Sequence, residues 1–112
     1  MPVKLINVAY EHAVKLIKAG EVESFDDDWS EVAPTPDEVL HFLNSHSMHE
    51  YGLWFLGRNS QFPDSAKEHY IYPHGDLKEV QKPALEDTLE KAKTNGDADI
   101  VHAANQLLAM ID

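Results

Sequence analysis

The chain has no cysteine, which removes a disulfide framework, a thiol nucleophile and a thiolate metal site in one step. Nothing therefore ties the fold to an oxidising compartment, and the cytoplasm is the expected location. No apolar stretch approaches the roughly 18 residues needed to cross a bilayer. The opening MPVKLINVAY has no charged segment followed by a long apolar run and a small-residue cleavage site, so neither secretion nor a membrane role is expected. The glycines at 20, 52, 57, 75 and 96 are scattered, and none falls in a GxGxxG or P-loop pattern. The serines at 24, 30, 45, 47, 60 and 65 lie in no GxSxG elbow. Repeats, low-complexity runs and linkers are absent too. A single domain over residues 1–112 is expected, since Leu, Ile, Val and Phe make up a quarter of the chain, enough for a core without staples.

Positive charge is scarce as well. The formal net charge is −11, and from Ala19 to Gly57 there is no Lys or Arg, while Glu21, Glu23, Asp26, Asp27, Asp28, Glu31, Asp37, Glu38 and Glu50 fall in that window. Phosphate backbones are bound by cations that displace counterions, so this half repels nucleic acid and direct DNA or RNA binding is not expected. Such a stretch is either a solvated face or a patch that meets a basic protein or imitates a nucleic acid.

What is present reads mainly as helix. Asn7–Ala19 puts Ala9, Ala13, Leu16 and Ile17 on one stripe, with Gly20 where a helix ends. The segment from Glu21 to Pro34 has no sustained period, and Phe25 and Trp29 are expected to fold back as anchors. Thr35-Pro36-Asp37-Glu38 is a helix start with a capping box, and that helix should fade at Asn44-Ser45. MHEYGLWFL then resumes a short helix, and Pro63–His69 suits one or two turns. Pro83 opens a helix that Thr94-Asn95-Gly96 closes, and Asp97 can cap a last one carrying Ile100, Ala103, Ala104, Leu107, Leu108 and Ile111, so the two form a hairpin. Val3–Val8 and Tyr70–Tyr72 have strand character but are short for a sheet. The expected fold is all-α, an irregular small domain of about four to five helices ending in a helical hairpin.

The stretch from Tyr51 to Asp76 holds six of the ten aromatic residues. Tyr51, Trp54 and Phe55 share a helical face at spacings of three and four, and Phe62, Tyr70 and Tyr72 follow before Pro73 and Gly75 break the chain. These rings are either a core node or a recognition surface. In the second case Tyr51, Trp54, Phe55, Tyr70, Tyr72 and His74 are the binding residues. In the first, Trp54 shares a core with Leu85, Leu89, Leu107 and Leu108.

Chemistry, if any, must begin with the seven histidines, the side chains that titrate near neutrality. His46, His49 and Glu50 form HxxHE and could hold a divalent metal if a helix continued through them, although the order is not that of HExxH. His69, His74 and Asp76 crowd beside a forced turn, where proton transfer or plain turn structure are the alternatives. Asp26-Asp27-Asp28 has the charge of a cation ligand run but lacks the glycine and glutamate spacing of an EF-hand.

Trp29-Ser30, the Tyr51–Gly57 segment, Tyr70-Ile71-Tyr72-Pro73-His74-Gly75, Ala84-Leu85 and the ending from Ile100 to Asp112 together resemble small domains of bacterial and prophage proteins, some found beside phage head-assembly and head-maturation functions. The similarity spans about 85 residues in a W-S, Y-x-Y-P, LL-x-x-ID order. This chain departs from the pattern after Pro83, where it is acidic and those domains are rich in arginine. The resemblance implies an accessory domain of mobile-element origin and carries no catalytic residue onto this chain.

These features point to a non-catalytic, acidic, helical protein-interaction or accessory protein. It should need no cofactor, bind a protein partner, and be open to self-association. The alternatives are a metal-dependent, hydrolase-like activity at His46, His49 and Glu50, and an acidic mimic of nucleic acid.

Overall fold

The computed structural model describes residues 3–25 and 28–111, and there strands and helices are interleaved. The expected all-α architecture is overturned: the fold is mixed α/β. Strands β1 (Val3–Leu5), β3 (Phe55–Asn59) and β4 (Tyr70–Pro73) form an antiparallel sheet in the order β1-β3-β4, and β2 (Val22–Glu23) pairs in parallel with β5 (Val80–Gln81). Six α-helices complete the described residues: α1 (Asn7–Lys18), α2 (Trp29–Val32), α3 (Pro36–Ser45), α4 (Met48–Gly52), α5 (Lys82–Asn95) and α6 (Ala98–Ile111), with a 3-10 turn at Lys67–His69.

The error has a definite source. MHEYGLWFL was expected to be one short helix, but α4 stops at Gly52 and the chain leaves Leu53-Trp54 as the central strand. A short apolar run fits helical and extended periods alike, and long-range pairing decides between them. Here Val3 sits opposite Asn59 and Leu5 opposite Gly57, while Phe55 faces Pro73 and Gly57 faces Ile71. Each outer strand is too short to stand alone; one central strand serves both. Gly57 does not end a helix. It allows close approach, because a Cβ there would lie 2.7 Å from a ring carbon of Tyr72.

Helix ends follow local chemistry. In α3, Thr35 Oγ1 accepts from the Glu38 amide at 3.2 Å and the Glu38 carboxylate accepts from the Thr35 amide at 3.1 Å; Ser47 and Glu50 repeat the device at α4. Gly96 closes α5 in the left-handed conformation, φ 75°, and the short link makes α5 and α6 adjacent.

Helix α5 packs on β4, α6 on β1 and β3, and α1 on α6 and β3. The core among them includes Ala13, Leu56, Tyr72, Val80, Leu85, Ile100 and Leu107, with Leu89 and Leu108 partly buried against it. Alanines at 9, 13, 92, 103 and 104 are all buried and let helices approach closely. Trp54 is buried but lies outside this cluster, so the expected shared core holds for the leucines and not for the indole. Polar pins tie hairpin to sheet: Tyr72 donates its hydroxyl to the buried Asp97 and accepts from Asn95 Nδ2 at 2.9 Å, Thr88 Oγ1 donates to the Pro73 carbonyl at 2.7 Å, and the Leu5 amide donates to Asp99 at 3.0 Å. Such bonds contribute about 1 kcal/mol each, and more is lost when a buried partner is stranded. Phe25, expected as an anchor, is instead 68% exposed, while Trp29 is half-buried. Asp26 and Asp27 of the triple-aspartate run lie outside the described residues.

Candidate functional site

The structure divides the six expected binding residues among three surroundings. Trp54 and His74 meet His12 of α1: the His12 ring stands edge-on to the indole at 5.1 Å between centroids, and His74 lies 5.5 Å from the indole and 6.2 Å from His12. His74 is fully buried. Its Nε2 sits 2.7 Å from the Leu53 carbonyl, which can only accept, so Nε2 carries the proton. Burial pushes its pKa down to about 4, which leaves the ring neutral at pH 7 with a lone pair on Nδ1. Burial also lowers His12, helped by Lys15 and opposed by Glu21.

Tyr51, Phe55 and Tyr70 form a second group, with Tyr51 at 4.8 Å from Phe55 and 6.0 Å from Tyr70. Phe42 of α3 joins it at 6.4 Å from Tyr51 and itself stacks flat on His46 at 4.1 Å. Burial raises the pKa of Tyr51, with Glu68 adding to it. Tyr72, with φ 65°, is set apart in the main core. Tyr51, Trp54, Tyr72 and His74 are thus buried, and only Phe55 and Tyr70 reach solvent in part.

His46, His49 and Glu50 are also separated by use. His46 follows the end of α3, with Nδ1 facing the Phe42 carbonyl at 3.1 Å; His49 is exposed on α4; Glu50 caps α4. The Ser47 amide holds the Glu50 carboxyl below its usual range. Among the described residues, no three His, Asp or Glu side chains are grouped to hold a metal ion. His69, His74 and Asp76 do not converge either. His69 Nδ1 bonds the Phe62 carbonyl at 2.8 Å, and Asp76 accepts from the Lys78 and Glu79 amides at 3.1 and 3.0 Å and from Gln81 Nε2 at 3.1 Å, which builds a turn.

That turn forms one wall of a groove of about 450 Å³. Asp37, Glu38, His41, Phe42, Ser45 and His46 of α3 and its end line one side, and Asp76, Leu77 and Lys78 line the other. Its lining combines the Phe42–His46 stack and Leu77 with three carboxylates and one lysine. The Thr35 amide and hydroxyl hold Glu38 below its usual pKa, and Lys78 acts in the same direction. Leu77 is held at φ 72°, a conformation that costs a non-glycine residue about 1–2 kcal/mol. Its side chain also borders an apolar cavity of about 150 Å³ beneath α3, lined by Trp29, Pro34, Val39, Tyr51, Phe55, Pro73 and Gly75. Sequence reasoning missed Leu77 and Lys78 altogether. Both sit in a stretch with no periodic signal, and only the Asp76 turn brings them beside α3.

The fold and groove define a small mixed α/β protein with a cleft lined by carboxylates and stacked rings. Comparison of the chain with protein-family models, with curated proteins and with solved structures gives no match. No helix among the described residues is long and apolar enough to cross a membrane.

Proposed function

We propose that this is a non-catalytic accessory protein that binds a basic protein partner through its acidic half, in the cytoplasm and without a cofactor. The observation that carries the reading is the groove itself, lined by three carboxylates and a pair of stacked rings, on a chain of net charge −11. Charge of one sign steers an oppositely charged partner, and apolar lining gives it a place to bury surface. Catalysis gains no support from the serine-histidine contact in the groove. Ser45 Oγ lies 2.9 Å from His46 Nδ1, and both atoms also face the Phe42 carbonyl, so the pair serves the exposed carbonyls at the end of α3. The resemblance to prophage-associated domains adds a mobile-element origin to this proposal.

The test is fluorescence anisotropy with labelled basic and acidic peptides and with a short DNA duplex over a salt series. Binding of the basic peptide alone, weakening as salt rises, is the expected result. Binding of the duplex, or indifference to peptide charge, would overturn the proposal.

A further inference from the structure

Resting on the reading above, we propose that the groove between α3 and the Asp76–Glu79 turn is the docking site, and that it takes a partner segment with one large apolar side chain flanked by arginine or lysine. The two halves of that description come from two parts of the groove. The Phe42 ring, stacked at 4.1 Å and within 5° of parallel on His46, and the half-buried Leu77 give the groove apolar surface. Asp37, Glu38 and Asp76 line the same groove against the single cation Lys78. A segment that is only basic would leave the apolar surface wet, and one that is only apolar would leave the carboxylates unanswered.

Leu77 sets the size of the anchor. Its backbone is held in the left-handed region by a turn that Asp76 fixes through the Lys78 and Glu79 amides, so the side chain is presented to the groove by the turn. Leu77 also lines the apolar cavity beneath α3. A leucine held at positive φ where Gly or Asn fits without strain, between two apolar spaces, is a feature that packing alone does not require. As part of the groove's lining, it selects which apolar side chain the partner inserts.

The probes are two labelled peptides, Arg-Arg-Leu-Arg-Arg and Arg-Arg-Ser-Arg-Arg, with binding read by anisotropy and by amide shifts of isotope-labelled protein. The leucine peptide should bind about tenfold tighter, as expected for one buried apolar side chain, and should shift Leu77, Lys78 and His46. Leu77→Asn keeps a residue that tolerates the backbone, so it should fold and lose the preference for leucine. Lys78→Gln, which removes the one opposing cation, should tighten both peptides and also serves if Leu77→Asn fails to fold. Leucine-peptide binding that maps elsewhere, or that both variants leave unchanged, overturns this site while leaving the broader reading intact. No binding of either peptide overturns both.

Discussion

The His12 and His74 rings lie 6.2 Å apart with the Trp54 indole packed against each, so two imidazoles occupy a place where charge is disfavoured. His74 is neutral in the fold down to about pH 4, whereas an unfolded histidine takes up a proton near pH 6.5. Below pH 6.5 the unfolded chain therefore binds a proton that the folded chain does not, and stability falls as pH drops toward 4. The contribution at stake is about 3 kcal/mol. Urea unfolding from pH 7 to 4.5, compared between the parent and His74→Gln, should show a steeper loss for the parent. Parallel curves would remove His74 as the cause.

Trp54 packs against both of those rings and is 7% exposed. Trp54→Ala should cost about 3–5 kcal/mol, a large part of the 5–15 kcal/mol typical of a domain. Chemical denaturation measures it directly. A variant that melts like the parent would make the indole an interface anchor instead.

Tyr72 donates to Asp97 and receives from Asn95, so Tyr72→Phe strands a buried carboxylate. A loss of about 1–3 kcal/mol is expected. Double substitution with Asp97→Asn should cost less than the sum of the two single changes, because they remove one interaction.

Gly75 passes between the Glu79 carbonyl and the Trp54 ring, and a Cβ there would meet both, the indole at 2.7 Å. Backbone cannot yield as a flexible side chain can, so Gly75→Ala should cost about 1–3 kcal/mol or more. Its thermal midpoint should drop well below that of Gly20→Ala, where a Cβ meets nothing within 4 Å and only the φ of 78° is strained.

Glu79 has its pKa raised, first by burial and then by Glu23 and Asp76. A carboxyl raised on folding is unfavourable when ionised, so the penalty is present at neutral pH and fades as pH falls below the carboxylate range. Glu79→Gln should therefore raise the melting temperature at pH 7, with the gain shrinking toward pH 4. An equal gain at both ends would place the effect in packing.

Sequence by itself determined the features that depend on a few adjacent residues. The Thr35 and Glu38 capping box, the start of α5 at Lys82-Pro83, the Gly20 and Gly96 stops and the α5–α6 hairpin were legible because caps, prolines and left-handed glycines act within one turn. The acidic character of the chain was equally plain. Tertiary structure decided the rest. Phe55–Asn59 is a strand because Val3–Leu5 and Tyr70–Pro73 flank it from distant parts of the chain, and no local period encodes that pairing. It likewise divided one aromatic stretch into three surroundings, burying His74 against a helix some sixty residues away in sequence. The groove arose the same way, since Leu77 and Phe42 face one cleft only when the Asp76 turn is folded against α3. Local chemistry sets where elements begin and end; burial and long-range pairing choose what they become.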